Sequence, residues 1–218
     1  MSDTSYAAKA QTYFANRREE MLAFVPAAAR TVLEVGCGNA EFAELLKSRR
    51  AVHVTGIEAF AGAADVARQR VDRLLNCSIE AALPLLGSAR FDCIVLNDVL
   101  EHLVDPWAVL GQLREWLAPG GVVVASIPNM RYLPVFKDFV LRGLWRYQQE
   151  GVMDRTHLRF FTRRSMLELF EAAGYVVQRM QGINPIQVSW KFDLLNALTR
   201  QSLADTRFQQ FACVARPA

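Results

Sequence analysis

The chain has 218 residues, 52% of them apolar and 22% charged, with a net charge of +3 and a pI near 8.8. That length can bury a full core, and so weak a positive balance leaves no electrostatic footprint for nucleic acid. No apolar run is long enough to span a bilayer, no basic start and apolar run marks a signal peptide, and Cys37, Cys77, Cys93 and Cys213 form no C-x-x-C pair. The expectation is therefore a cytoplasmic protein with buried thiols and no metal site.

Ala7 to Val25 reads as a helix, with Tyr13, Phe14, Arg17, Met21 and Leu22 at helical spacing and Pro26 as its stop. Thr31 to Val35 follows as a buried strand, since Val32, Leu33 and Val35 are apolar and partly β-branched. Gly36 and Gly38 come next, and a helix from Ala40 buries Phe42, Leu45 and Leu46 on one face. A strand, a glycine turn and a helix bring backbone N–H groups and a helix N-terminus up to an anionic ligand. The spacing is not that of the dinucleotide fingerprint: where a third glycine is needed stands Glu41, which a pyrophosphate would meet and repel.

His53 to Glu58 reads as the second strand. Glu58 lies twenty-two residues after Gly36, where a strand-end carboxylate can accept hydrogen bonds from ribose hydroxyls. Ala61 to Leu75 holds a helix and the start of a third strand, and Leu74-Leu75-Asn76-Cys77 precedes Ser78-Ile79. Phe91 to Leu96 is the next strand, fully apolar at Ile94, Val95 and Leu96, with Asn97 and Asp98 at its carboxyl end, the ligand side of an open α/β sheet. Asp105-Pro106 caps the following helix, striped by Trp107, Leu110, Leu113 and Leu117, and Ala118-Pro119-Gly120-Gly121 leads into a strand from Val122 to Ile127.

Two stretches share one resemblance. Glu34-Val35-Gly36-Cys37-Gly38-Asn39-Ala40 fits an acid-x-Gly-x-Gly-x-small pattern, with Ala40 where a third glycine is usual. Phe91-Asp92 through Asp98-Val99-Leu100-Glu101-His102-Leu103-Val104-Asp105-Pro106, then Leu117-Ala118-Pro119-Gly120-Gly121, is the more specific match. Together, over roughly Thr31 to Pro128, they resemble the class I S-adenosylmethionine-dependent methyltransferases.

The resemblance implies an α/β, Rossmann-like three-layer sandwich around a seven-stranded, mostly parallel sheet. Its last strand would run antiparallel, and a helical cap would follow strand five. Residues 1–218 would form a single domain, with an N-terminal helix (1–26) over the cofactor pocket and a substrate cap at 128–162. S-adenosylmethionine would be held by Glu34, Gly36, Cys37, Gly38, Glu58, Ala59, Ser78, Ile79, Asn97 and Asp98. Glu34 would face the amine, Glu58 the ribose, and Ser78 and Ile79 the adenine. The Asn/Asp-Pro-Pro-aromatic motif that goes with methylation of exocyclic base nitrogens is absent.

Past Pro128 the chain is rich in aromatics and arginine: Tyr132, Phe136, Phe139, Arg142, Trp145, Arg146 and Tyr147. These suit a sugar, an aromatic ring or an anionic group, and equally an ordinary helical cap. Asp154 to Thr162 resembles a methyltransferase subset associated with glycan, lipid and small-metabolite pathways. Thr162 caps a helix that Gly174 ends, Tyr175 to Met180 is a strand, Gln187 to Gln201 a helix and Phe211 to Ala215 the last strand.

The expected function is methyl transfer from S-adenosylmethionine to a small-molecule, sugar or lipid-linked acceptor, at oxygen. Of three histidines, His157 is the first candidate base and His102 the second, since an imidazole titrates near pH 6.5. Two alternatives remain at this level. One is an NAD(P)-dependent oxidoreductase, although Tyr132 and Lys137 lie five apart rather than four. The other is a cofactor-binding partner subunit without catalysis.

Overall fold

The computed structural model describes residues 17–218. Seven strands form one sheet: β1 (Thr31–Val35), β2 (His53–Ile57), β3 (Arg73–Leu75), β4 (Phe91–Asn97), β5 (Leu117–Pro128), β6 (Tyr175–Pro185) and β7 (Phe208–Pro217). Their order is β3-β2-β1-β4-β5-β7-β6. β1, β2, β3, β4 and β5 pair in parallel, and β7 pairs antiparallel with both β5 and β6. Helices α1 (Glu41–Arg49), α2 (Ala61–Ala67), α3 (Ile79–Leu86), α4 (Pro106–Leu113), α5 (Leu133–Arg142), α6 (Arg163–Ala172) and α7 (Trp190–Leu198) occupy the connections.

The central strands are apolar on both faces because both faces are covered. One layer gathers Leu33, Ile94, Leu96, Leu110, Leu113, Phe170 and Tyr175; the other gathers Val32, Val54, Val95, Val124, Phe42 and Leu46 with Met21 and Phe24. In the first layer the Tyr175 hydroxyl donates to the Leu110 carbonyl at 2.8 Å, so its one polar atom is satisfied. Thr162 and Ser165 form a reciprocal capping box at the start of α6.

Several local expectations need correction. The helix expected up to Val25 is, where described, a 3-10 segment from Glu19 to Phe24, and Tyr13 and Phe14 lie outside the described residues. Val25 ends that segment in an extended conformation before Pro26, and Arg18, just ahead of the segment, is buried. Trp107 is exposed rather than part of the apolar stripe of α4. Leu117 already belongs to β5, and the residues after it form a bulge in the pairing of β5 with β4 before Val122 restores the register. After β5 there is one helix, α5, none of whose residues is buried, followed by irregular chain to Thr162. β6 and β7 run longer than their apolar runs suggest because they pair with each other along most of their length, and α7 is shorter than expected.

Candidate functional site

β1 and β4 are neighbours, yet from β1 the chain order runs outward to β3 and from β4 to β5. At this reversal the connections leave to opposite faces, and a cleft of about 890 Å³ opens at the carboxyl ends of the strands. The glycine turn forms one wall. Gly36 has φ +63°, and a Cβ there would stand 2.9 Å from Val99 Cγ2, so only glycine lets the turn pass this close to β4's exit. Ala40 is also left-handed, with φ +58°, at the N-cap of α1. The motif position therefore asks for a left-handed backbone as well as a small side chain.

Glu58 lies at the tip of β2. One carboxylate oxygen accepts from Gly38 N–H at 2.8 Å and the other from Phe60 N–H at 2.8 Å. Burial raises its pKa and these N–H groups oppose the rise. The carboxylate thus ties the glycine turn to the start of α2 while still bordering the cleft. Glu34 is buried beneath the same turn, and its Oε2 has no hydrogen-bond partner among the described residues. Burial, reinforced by the Glu58 charge and opposed by the Ala43 N–H, pushes its pKa up to about 8.

The shift at Glu34 has a sign that can be measured. The folded state holds this proton up to about pH 8, whereas an ordinary carboxyl has released it well below that. Between those values the folded state binds more protons than the unfolded one, so stability of the ligand-free protein falls as pH rises. Denaturant unfolding at pH 5.5 and 8.5 is expected to show that fall and Glu34→Gln to flatten it. An equal slope in the variant assigns the pH dependence elsewhere.

At the exit of β4 the two amide atoms of the Asn97 side chain are buried, border the cleft and have no partner among the described residues. Asp98 follows with φ +55°. Its Oδ1 accepts from Arg18 at 3.1 Å, Ser126 Oγ at 3.1 Å and Gln210 Nε2 at 2.6 Å, and its Oδ2 lies 3.0 Å from Arg18 Nη2. Gln210 in turn accepts from Arg18 and from Asn184, each at 2.9 Å. Burial raises the pKa of Asp98, with the Arg18 charge working against it. The network fastens the chain's N-terminal side, through Arg18, across β4, β5, β6 and β7.

Beyond Asp98, a 3-10 turn from Leu100 to His102 places Glu101 and His102 on the cleft wall. The segment after α5 returns to this turn: Leu158 N–H and Arg159 N–H both donate to the Glu101 carbonyl, at 2.8 and 3.0 Å. That staple puts His157 beside Glu101, with Nε2 to Oε1 at 3.9 Å, and edge-on to His102, with ring centroids 4.8 Å apart. Glu101 is 1% exposed, and neither carboxylate oxygen finds a hydrogen bond among the described residues. Burial, followed by the negative charge of Asp98, drives its pKa well up. Around His157 the rings of Phe160, Trp145, Tyr147 and Phe139 follow one another at centroid distances of 5.4 to 6.4 Å.

Every residue expected from the sequence to hold the cofactor borders this cleft, as do His102 and His157. The particulars differ in places. Ser78 is the N-cap of α3, accepting from Ala81 N–H at 3.4 Å, so its hydroxyl has structural work as well. Burial, with the Glu34 and Glu58 charges, pushes the Cys37 thiol up, which keeps it protonated and unreactive. Glu41 is not among the residues lining the cleft, and Arg70 holds it in an ion pair. His53, at the start of β2, is exposed beside Asp72 and is not among the residues lining the cleft. Glu101, Arg18, Asn184 and Gln210 were not singled out. Glu101 lay inside a recognised stretch next to His102, and that adjacency was the one available signal.

A parallel sheet with its last strand reversed, a glycine turn at the switch point and orphaned buried polar groups around it define the cofactor cleft of a class I methyltransferase. Comparison with known proteins agrees: residues 6–179 match the methyltransferase domain family, and the chain belongs to it. Among curated relatives, a ubiquinone biosynthesis O-methyltransferase of Alkalilimnicola ehrlichii is 30% identical over 174 residues, covering 74% of this chain and 68% of its own. That of Aeromonas salmonicida is 27% identical over 175 residues, covering 76% and 71%. A solved SAM-dependent methyltransferase from Archaeoglobus fulgidus superposes with a TM-score of 0.70 at 17% identity, covering 94% of each chain.

The chain is accordingly an S-adenosylmethionine-dependent methyltransferase, and the oxidoreductase and non-catalytic readings fall away. The cleft fits that cofactor. Among the described residues, Glu34 keeps one buried carboxyl oxygen and Asn97 both amide atoms without a hydrogen-bond partner, groups that a cationic amine and a polar ligand would satisfy, and the Gly36 turn leaves no side chain in the way. Among the described residues, no helix is long and apolar enough to cross a membrane.

Proposed function

We propose that the enzyme methylates a hydroxyl oxygen of a small acceptor whose body is aromatic or otherwise apolar. The observation that supports this reading is the Glu101–His102–His157 cluster on the cleft wall, with Glu101 and His157 buried and His102 half-buried, and with aromatic rings in contact with His157 and with one another. The acceptor's apolar body packs on that aromatic run, and its hydroxyl is activated at the cluster. The name borne by the relatives, O-methyltransferase of ubiquinone biosynthesis, favours oxygen as the acceptor atom.

In this reading Glu34, Gly36, Cys37, Gly38 and Asn97 hold the amino-acid end of S-adenosylmethionine. Glu58 and Ala59 hold the ribose, Ser78 and Ile79 flank the adenine, and Asp98 holds Arg18 and the turn after β4 in place. When bound, the sulfonium supplies an electrophilic methyl group. The protein's own share is to aim the acceptor oxygen at that carbon, exclude water and remove one proton. The segment 128–162 acts as the acceptor cap, because Gln148, Val152, Asp154 and His157 line the cleft and its backbone is fastened to Glu101.

S-adenosylhomocysteine is expected to raise the melting temperature, and NAD or NADP to leave it unchanged, by thermal shift at equal ligand concentrations. A dinucleotide shift as large as that of S-adenosylhomocysteine contradicts the assignment of the cleft. The acceptor class is tested by incubating the enzyme with S-adenosylmethionine and a panel of phenols, sugars and amines, reading S-adenosylhomocysteine release. Product from amines alone overturns the oxygen assignment.

A further inference from the structure

A second cavity, an open recess of about 640 Å³, adjoins the cleft. Arg146, Tyr147, Arg155, His157 and Leu158 line it, and His157 lines the cleft as well, so the two share a wall. Backbone pairing shapes the recess. Gln148 and Asp154 form an isolated bridge, in which Gln148 N–H donates to the Met153 carbonyl at 2.8 Å and Arg155 N–H to the Gln148 carbonyl at 3.0 Å. The stretch that carries Arg146 and Tyr147 is thereby held beside the stretch that carries Arg155. The Tyr147 ring lies 6.4 Å from that of Phe160, which is 6.2 Å from His157, so the recess continues the aromatic run.

Other arginines of this region are engaged. Arg131 pairs with Asp205, Arg142 with Asp138 and Arg164 with Glu168, while Arg159 donates to the Val104 carbonyl. The guanidinium groups of Arg146 and Arg155 have no ion pair and no hydrogen bond among the described residues, and no Asp or Glu lines the recess. Arg163, also without a partner there, is not among the lining residues. Two like charges brought to one acid-free hollow repel each other, and an anion between them relieves the repulsion. Each guanidinium offers a planar fork of donors that meets phosphate oxygens two at a time. The charge decides between oxyanions: a phosphate monoester carries about −1.5 to −2 near neutrality and balances both arginines, whereas a carboxylate balances one.

We propose that Arg146 and Arg155 bind a phosphate group carried by the acceptor, ester-linked to the apolar body whose hydroxyl is methylated. The inference rests on the acceptor reading above and adds the charge that the acceptor bears. With His157 as the shared wall, the phosphate sits in the recess while the reacting hydroxyl stays in the cleft. The phosphate ester remains intact throughout; its part is to hold and orient. Removing either arginine therefore raises KM more than it lowers kcat.

The test uses the full chain with S-adenosylhomocysteine bound and three probes, phenyl phosphate, phenol and inorganic phosphate, each titrated by calorimetry at low ionic strength. Phenyl phosphate is expected to bind one to one and more tightly than either other probe. Arg146→Ala and Arg155→Ala are each expected to weaken it at least about tenfold, the scale of one lost charge-assisted hydrogen bond. Arg142→Ala, which removes an equal charge outside the recess, leaves the affinity unchanged, and retained S-adenosylhomocysteine binding shows that the variants are folded. With S-adenosylmethionine, hydroxyphenyl phosphate is expected to have a higher kcat/KM than hydroquinone, a preference that Arg155→Ala removes through KM. Absence of one-to-one phenyl phosphate binding by the wild type overturns the proposal, and so does wild-type affinity in both folded variants or an equal loss in Arg142→Ala. Inorganic phosphate bound as tightly as phenyl phosphate overturns it too, since the occupant would then be a free ion. Phenyl phosphate binding that is lost in the variants, but with no methyl transfer to any hydroxyl compound, upholds the phosphate site and removes the acceptor reading instead.

Discussion

His157→Ala lowers turnover on the best hydroxylated acceptor by at least about 100-fold, the scale of losing a group that activates the nucleophile. S-adenosylhomocysteine affinity stays within about twofold of wild type, because His157 packs against Glu101 and the segment around Val152, where the acceptor is proposed to bind. The steady-state rate and a calorimetric titration on the same preparation separate the two quantities. Turnover that survives the substitution moves the activation of the hydroxyl away from this cluster. A collapse of cofactor affinity along with turnover makes His157 part of the framework that shapes the cleft.

Glu58→Ala acts on the residues proposed to hold the cofactor. It removes the acceptor of two backbone N–H bonds, from Gly38 and Phe60, and the carboxylate proposed to take the ribose hydroxyls. Each charge-assisted hydrogen bond is worth about 1.5–3 kcal/mol, with water recovering part of it. A loss of S-adenosylhomocysteine affinity of about 30-fold or more is therefore expected, along with a lower melting temperature from the loosened glycine turn. Unchanged affinity in a folded variant would reduce Glu58 to a structural tie between β2 and the turn.

The sheet was legible because parallel strands covered on both faces leave apolar runs, as at Val32-Leu33, with Val35 beyond Glu34, and at Ile94–Leu96. The cofactor side was legible for a related reason: glycines, strand-end acids and their spacing are local in sequence. Where the reading went astray, the deciding contact was distant. Glu41 was judged by its place in a motif, while its ion-pair partner Arg70 lies at the far end of the next βα unit. Nothing near Arg18 announces that it joins Asp98, Ser126 and Gln210, since those partners come from three other strands or their exits. The lengths of β6 and β7 follow from their mutual pairing, which local composition does not encode. Ala40 is the instructive intermediate. Its small size was visible, but its left-handed backbone is set by the tight turn back to Cys37, whose carbonyl accepts from Ala40 N–H at 2.7 Å.

The orphaned carboxylate of Glu34 has a consequence for the protein's survival rather than its chemistry. A buried acid with one oxygen unpartnered among the described residues weakens the empty fold, and the cationic amine proposed to sit against it would reverse that cost. Ligand that binds only the native state suppresses unfolding by mass action. Degradation by proteases that act on opened chains then slows when the methyl donor is plentiful and quickens when it is scarce. The amount of enzyme present is in this way tied to the supply of its own cosubstrate, with no dedicated regulator needed.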